Sequence, residues 1–293
     1  MYKVLSKLSI NTTTHTYIDK LEIMMEKPDE PELDDVATDN TEPIIPKKKR
    51  IIKPVDVLDA WYERYGIVSD TNSPTSYYQI GVDEVGRGPL FGRVYTAAVV
   101  LPSPSDDKEG DGFNYGMMKD SKKFHSAKKI NEVADYIKQH AVAWCITYKS
   151  EQVIDTINIR QSVLSSMYDS VAGCVKQVKD IDEDAKKDIF LLVDGNDFKT
   201  YMYLNSEDEL QTIPHTCIEG GDNKYCAIAA ASILAKVERD RYVEELCNEN
   251  PELDEKYGLL KNKGYGTKKH IDGIKEHGIT EWHRKSYGIC SRY

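Results

Sequence analysis

The feature of the sequence that most constrains its fold is an alternation of short apolar segments with helical patterns, which begins about a quarter of the way along the chain. Apolar residues fill 94–101 and 189–193, as expected of buried strands. Other apolar residues recur at helical spacing in 126–140 and 157–178. Strands that alternate with helices are typical of α/β domains. We therefore predict an α/β domain over residues 77–293, with a mixed sheet flanked by helices.

The remaining elements follow from the same patterns. Predicted strands cover 75–84, 94–101, 141–148, 189–193 and 212–218. Predicted helices cover 126–140, 157–178, 225–246 and, in a C-terminal helical segment, a stretch near 267–276. The helix at 225–246 begins with an unbroken series of small and apolar residues, so we expect it deep in the core. The patterns leave the strand order open.

Residues 1–70 differ in composition from the rest. Between Glu22 and Glu42 the only basic residue is Lys27, acidic residues are frequent and aromatic residues are absent. Such a segment buries too little apolar surface to offset the entropy of ordering it, so we expect residues 1–70 to be a largely disordered extension. Within it, the basic run at 46–53 (PKKKRIIK) is as typical of a nuclear-import signal as of a solvated charged stretch.

The junction between this extension and the α/β domain has two further features. Apolar residues at helical spacing in 54–66 predict a short helix that docks on the domain. The polar, turn-forming residues at 69–76 are typical of a linker.

Composition excludes several classes of protein. No apolar run approaches the ~20 residues that span a bilayer, and the first residues lack the apolar stretch of a signal peptide. The six cysteines contain no CxxC pair, which argues against a disulfide framework or a zinc site. The net charge of −10 means that any affinity for nucleic acid comes from local basic patches. We expect a cytoplasmic protein, or a nuclear one if residues 46–53 act as an import signal.

Carboxylates stand where predicted core elements end or begin. Asp83 and Glu84 follow one apolar strand, Asp194 follows another, and Asp222 precedes the apolar helix. Taken singly, each is more typical of a turn or a helix cap. Together, they would repel one another unless a cation neutralised them, and hard divalent ions prefer oxygen ligands. This set is therefore a candidate for two-metal phosphodiester cleavage.

A glycine-rich loop follows the first carboxylate pair. Gly86, Arg87 and Gly88 precede Pro89 and then a strand, whereas a dinucleotide-binding fingerprint opens a helix. The loop thus resembles a backbone segment that approaches a ligand closely and carries one guanidinium.

Six blocks of sequence, in order and covering about residues 78–290, resemble the ribonuclease HII family of type 2 ribonucleases H. The resemblance is closer to the single-chain bacterial form than to the eukaryotic catalytic subunit, and it implies a ribonuclease H-like sheet. The blocks are GVDEVGRGPLFGRVYTAAVVLP at 81–102, KDSKKF at 119–124, VDGN at 193–196, GGDNKYCAIAAASILAKVERD at 220–240, NKGYGTKKH at 262–270 and HRKSY at 283–287.

The resemblance implies roles for individual residues. Asp83, Glu84, Asp194 and Asp222 match the carboxylates that are catalytic and bind metal. The loop of Gly86, Arg87 and Gly88 matches the one that reads the ribose 2′-hydroxyl, the group that distinguishes RNA from DNA. Tyr265 matches a tyrosine that stacks on the deoxyribose after the ribonucleotide, and Lys122 matches a lysine near the scissile phosphate.

The implied activity is that of an endoribonuclease. It would cleave the RNA strand of RNA–DNA hybrids and cut 5′ of single ribonucleotides in duplex DNA, leaving 3′-hydroxyl and 5′-phosphate ends, with two Mg²⁺ or Mn²⁺ ions. We expect a monomer whose partners are these nucleic acids and no membrane; the sequence indicates no protein partner. The alternatives are a catalytically silent nucleic-acid-binding module and another nuclease of the same fold.

Further features complete the prediction. Basic clusters at 119–129, 261–270 and 283–285 are candidates for gripping phosphates. Asp240 is interpreted as an exposed helix residue without a catalytic role. An acidic insert at 103–116 lies outside the family pattern.

Overall fold

The sheet at the centre of the domain brings the ends of two predicted strands together. In the computed structural model, which describes residues 57–63, 77–104, 112–181, 188–204 and 208–293, five strands form a mixed sheet in the order β3-β2-β1-β4-β7. They are β1 (Tyr77–Val85), β2 (Val94–Val100), β3 (Ala143–Lys149), β4 (Asp188–Asp194) and β7 (His215–Ile218).

The direction of the strands sets the position of the carboxylates. β1 pairs antiparallel with β2 and parallel with β4, and β4 pairs parallel with β7. Val82 is opposite Val193 in the parallel pair. Because parallel strands end at the same edge of a sheet, the residues that follow Val82 and Val193 lie side by side at that edge.

Helices cover both faces of the sheet. They are α1 (Ala127–His140), α2 (Glu151–Ile181), α3 (Cys226–Glu249), α4 (Glu252–Tyr257), α5 (Leu259–Asn262) and α6 (Lys268–His277). The core on one side is formed with α1 and α3, and the core on the other with α2. The predicted α/β class, the flanking helices and the C-terminal helical segment are confirmed.

The apolar start of α3 lies directly against β1. A Cβ atom added to Gly81 would stand 2.1 Å from the carbonyl carbon of Ala227, so only glycine allows this approach. Ala229, Ala230 and Ala231 are completely buried in the same contact region. The close approach carries the turn before α3 to the edge of the sheet where β1 and β4 end.

The predicted docking helix at 54–66 is wrong over the residues that are described. Residues 57–63 contain no helix; instead, the amide of Asp59 donates to the carbonyl of Lys224 (2.7 Å), and the amide of Cys226 donates to the carbonyl of Asp59 (2.9 Å). The prediction that this segment packs on the α/β domain is correct, because Leu58 is buried and the ring of Tyr62 stacks on that of Phe190, with the ring centroids 5.9 Å apart. Hydrogen bonds to a turn far along the chain thus replace the local backbone hydrogen bonds that a helix would form.

The predicted strand at 212–218 is two strands in the structure. β6 (Leu210–Ile213) pairs with β5 (Tyr201–Leu204) in a separate two-stranded sheet, and β7 belongs to the main sheet. Pro214 separates them because it has no amide hydrogen to donate, and its carbonyl accepts from the amide of Leu191. β5, α4 and α5 are short elements that the patterns did not predict.

Several sequence predictions lie outside the described residues. They are the disorder expected of residues 1–56 and 64–70, the basic run at 46–53, the linker at 69–76 and, within the acidic insert, residues 105–111.

Truncation tests the contribution of residues 57–63. We compare a chain that begins at Pro54 with one that begins at Ser76. The shorter chain loses the buried side chain of Leu58, a contribution of about 1.5–3 kcal/mol, and should melt roughly 3–12 °C lower, at about 2–4 °C per kcal/mol. The measurement is thermal unfolding followed by circular dichroism. Equal melting temperatures would show that the segment adds no stability.

Candidate active site

The four predicted carboxylates gather at one edge of the sheet. Asp83 and Glu84 lie at the end of β1, and Asp194 is the last residue of β4. Asp222 lies in a single 3-10 turn, Gly221–Asn223, immediately before α3. Asp83 and Asp222 are only 5% and 4% exposed, so both carboxylates are almost fully withdrawn from water.

Backbone and amide groups hold these side chains in place. The amide of Glu84 donates to Oδ1 of Asp83, and the amide of Gly221 donates to Oδ1 of Asp194, each at 2.7 Å. The side-chain amide of Asn223 donates to Oδ1 of Asp222 at 3.3 Å. The turn before α3 is therefore tied directly to the end of β4.

Burial and mutual repulsion disfavour the charged forms of the carboxylates. The pKa of Asp83 is raised well above its usual range by burial, and further by the charges of Glu84 and Asp194. Burial also raises the pKa of Glu84, although Arg87 partly offsets the rise through a 3.2 Å ion pair. Burial raises the pKa of Asp194, with the Gly221 amide opposing. A cation at this edge would relieve the repulsion.

The carboxylates face a cleft that collects most of the predicted site. The cleft has a volume of about 520 Å³. Of the predicted site residues, only Asp222 is absent from its lining; the members present are Asp83, Glu84, Asp194, Gly86, Arg87, Gly88, Lys122 and Tyr265. Asp222 is linked to it through Lys122, whose Nζ is 3.6 Å from Oδ2 of Asp222.

Lys122 is an exposed cation beside the acidic edge. Its side chain is 79% exposed although it pairs with Asp222. Desolvation alone would lower its pKa, but the charges of Asp222, Asp120 and Asp83 outweigh that effect and raise it. Lys122 therefore stays protonated while its ammonium remains accessible to a ligand in the cleft.

The loop of residues 86–88 is held from behind by a buried arginine. Arg284 is fully buried and donates from Nη2 to the carbonyl of Gly86 (2.7 Å) and from Nη1 to that of Arg87 (3.0 Å). A trans peptide directs its carbonyl and its amide to opposite sides. The amides of Arg87 and Gly88 therefore point away from Arg284, and in the described parts of the chain neither donates to another group.

Tyr265 forms the opposite wall of the cleft. It is 47% exposed, and a Cβ atom added to Gly88 would lie 3.7 Å from its ring. The guanidinium of Arg239 lies 5.8 Å from the ring centroid on the protein side. The ring thus stands directly beside the 86–88 loop, as the resemblance implies.

The basic clusters are less available than the sequence predicts. Arg284, in the cluster at 283–285, is buried and bonded to backbone carbonyls. Lys263 pairs with Glu244 at 2.6 Å, and Lys269 donates to the carbonyl of Asp254 at 3.2 Å. Part of the positive charge that was expected to bind phosphates is therefore paired with groups of the protein itself.

The interpretation of Asp240 as an exposed residue is wrong. Asp240 is half-buried, lines the cleft, and pairs with Lys236 at 2.6 Å. Lys236 and Ser232, which also line the cleft, were missed. The signal that could have found them is helical spacing, because residues 232, 236 and 240 are four apart and share one face of α3.

Among the described residues, no cluster of metal-binding side chains is already formed. Among the side chains described, no group of three or more histidines, cysteines, aspartates or glutamates is placed so that it could hold an ion.

The described helices include none long and apolar enough to cross a membrane.

Comparison of the sequence with known proteins finds relatives that match most of the chain. Ribonuclease HII of Bacillus mycoides is 41% identical over 212 residues, which are 72% of this chain and 68% of the relative. Ribonuclease HII of Colwellia psychrerythraea is 40% identical over 228 residues, 77% of this chain and 94% of the relative. Both relatives are bacterial, in agreement with the resemblance to the bacterial form.

A solved structure supports the fold independently. The ribonuclease H2 from Pyrococcus horikoshii superimposes with a TM-score of 0.54 over 73% of this chain and 96% of its own, at 19% identity. Finally, the sequence profile of ribonuclease HII matches residues 80–290, which contain every predicted site residue. The chain therefore belongs to the ribonuclease HII family and is a ribonuclease H enzyme.

Proposed function

We propose that this enzyme cleaves the RNA strand of RNA–DNA hybrids and also cuts 5′ of a single ribonucleotide embedded in duplex DNA, leaving 3′-hydroxyl and 5′-phosphate ends. One observation carries the proposal. A single cleft combines carboxylates that repel one another, an exposed tyrosine ring, and the amides of Arg87 and Gly88, which donate to no group in the described part of the chain.

Divalent cations fit the chemistry of the acidic edge. Asp83, Glu84, Asp194 and Asp222 offer only oxygen atoms, which Mg²⁺ and Mn²⁺ accept. Burial and repulsion raise the pKa values of the first three, so a cation would favour their charged forms. When bound, two such ions supply charge to the scissile phosphate and help to ionise water.

The other residues of the cleft have roles that do not depend on the metal. In this proposal, the accessible ammonium of Lys122 would hold the scissile phosphate. The amides of Arg87 and Gly88 would donate to the oxygen of a ribose 2′-hydroxyl. The Tyr265 ring would pack on the following sugar, where an added hydroxyl would clash.

The alternatives have less support. A catalytically silent binding module would be expected to lack at least one carboxylate, and all four are present. A different nuclease of the same fold would not need Tyr265 beside the 86–88 loop. Nuclear import through residues 46–53 stays a prediction, since that run lies outside the described residues.

Asp194→Asn tests the acidic edge. The asparagine oxygen can still accept from the Gly221 amide, but one charge is lost from the edge. We expect turnover to fall by about 100-fold or more, on the scale of losing one electrostatic contact to the transition state. The measurement is the cleavage rate at saturating Mg²⁺.

The stability of the same variant has a predicted sign. A carboxyl group whose pKa is raised in the folded state opposes folding at pH values above that pKa. In EDTA at neutral pH, Asp194→Asn should therefore melt at the same temperature as the wild type or higher. Asp135→Asn, which changes an exposed residue of α1, is the matched control for both readouts. Near-normal turnover of Asp194→Asn would contradict the proposal.

Tyr265→Ala and Tyr265→Phe test the reading of the junction. Loss of a stacking platform costs ~1–3 kcal/mol, which corresponds to about tenfold to a hundredfold in rate. We expect this loss for Tyr265→Ala on a duplex with one ribonucleotide and a smaller loss on an RNA–DNA hybrid, while Tyr265→Phe keeps the ring and the activity. Equal losses of Tyr265→Ala on both substrates would contradict the junction role.

A further inference from the structure

Two histidines that the proposed reaction does not use are completely buried behind Tyr265. His270 lies on α6, and His283 lies in the segment that follows it. Their Nε2 atoms are 3.1 Å apart, and the rings pack on Tyr257 and Phe91. A hydrogen-bonded pair of imidazoles at such depth requires one ring nitrogen to donate and the other to accept.

The neighbours of the pair determine which nitrogen carries each proton. The amide of Thr280 lies 2.9 Å from Nδ1 of His283 and can only donate, so this Nδ1 is an acceptor. The proton of neutral His283 is then on Nε2 and is donated to Nε2 of His270. The proton of His270 must be on Nδ1, where it is donated to the carbonyl of Tyr265 at 3.0 Å.

This assignment satisfies every polar atom of both rings. Burial lowers the pKa of both imidazoles, that of His283 to about 3, so both are neutral at physiological pH. A proton added to His270 would place two N–H groups face to face between the rings, and a proton added to His283 would face the amide hydrogen of Thr280. The result is one continuous chain of hydrogen bonds from the amide of Thr280 to the carbonyl of Tyr265.

Tyr265 needs such an anchor because glycines flank it. Gly264 has φ of +84° and is packed so closely that a Cβ atom would lie 2.8 Å from the carbonyl oxygen of Phe91. Gly266 follows directly. Glycines by themselves leave the backbone many accessible conformations, and the ring itself is half-exposed, so the ring's position depends on the hydrogen bonds to its backbone. The amide of Tyr265 donates to the carbonyl of Asn262 (3.0 Å), and the carbonyl of Tyr265 accepts from the amide of Thr267 (2.7 Å) as well as from His270 (3.0 Å).

The same short segment also holds the other side of the cleft. His283 acts through His270 on Tyr265, whereas the next residue, Arg284, holds the carbonyls of Gly86 and Arg87. His283 and Arg284, which are adjacent in the chain, thus hold one wall of the cleft each. The position of this segment therefore sets the distance between the Tyr265 ring and the 86–88 loop.

We infer that His270 and His283 are positioning residues that hold Tyr265 at the spacing from the 86–88 loop required to recognise a ribose followed by a deoxyribose. The inference rests on the proposed cleavage 5′ of single ribonucleotides. It assigns the histidine pair a role in substrate selectivity in addition to its packing.

Two substitutions of His270 separate this role from packing. Asparagine places an amide nitrogen near the position of Nδ1 and can still donate to Tyr265, whereas glutamine reaches the position of Nε2 and cannot. The readout is kcat/KM on a duplex with one ribonucleotide divided by kcat/KM on an RNA–DNA hybrid. We expect His270→Gln to lower this ratio by about tenfold, as for loss of about 1.4 kcal/mol in the discriminating step, and His270→Asn to lower it much less.

A histidine of α6 outside the hydrogen-bonded pair provides the control. His277→Gln alters a histidine of the same helix that contacts the Tyr257 ring, and it should leave the ratio unchanged. Equal ratios for wild type and both His270 variants, or a larger effect of His270→Asn, would overturn the inference. If wild-type enzyme does not cut the single-ribonucleotide duplex at all, the proposed function fails instead.

A measurement on the wild-type protein covers the case in which the variants do not fold. Long-range proton–nitrogen correlation spectra of histidine-labelled enzyme distinguish the two neutral tautomers from the cation. We expect His270 protonated on Nδ1 and His283 on Nε2 at neutral pH, with no titration of His283 between about pH 5 and pH 8. The reverse tautomers, or a cationic His283 in that range, would contradict the chain of hydrogen bonds.

Discussion

Repulsion among carboxylates at the shared end of β1 and β4 is the constraint on which the rest of the site depends. Asp83 and Asp194 are brought together because their strands are parallel neighbours, and Asp222 joins them because α3 lies directly on Gly81. Burial makes this gathering of charge unfavourable. The charge of Lys122 offsets part of this repulsion, and under the proposed function divalent ions would offset the rest.

The two walls of the cleft, the 86–88 loop and Tyr265, are held in a different way. They are loops, and loops acquire a fixed position only through hydrogen bonds to the rest of the fold. Arg284 supplies these bonds to residues 86 and 87, and the histidine pair supplies one to Tyr265. The buried guanidinium is satisfied by carbonyls, including that of Gly92, and its pKa of about 10 keeps it charged. If the proposed function is correct, the C-terminal segment is therefore part of the recognition machinery.

The sequence predicts where the four carboxylates meet because they stand at strand ends and at the start of an apolar helix. Their catalytic and metal-binding roles, like those of the 86–88 loop and Tyr265, come from the family resemblance and stay predictions. It does not predict which basic residues turn inward, so Arg284 is grouped with exposed phosphate ligands although it is buried. It also misassigns 57–63, because helical spacing cannot show that Asp59 pairs with a turn far along the chain. Pro214 divides a continuous apolar pattern into two sheets for the same reason: pairing partners are nonlocal.

The most direct measurement of the central claim uses the wild-type enzyme and a 5′-labelled DNA duplex that contains one ribonucleotide. In Mg²⁺ or Mn²⁺, the account predicts a single cut on the 5′ side of the ribonucleotide, a product whose 3′-hydroxyl a polymerase can extend, and no cut in EDTA. Cleavage 3′ of the ribonucleotide, a terminal 3′-phosphate, or undiminished activity in EDTA would contradict it.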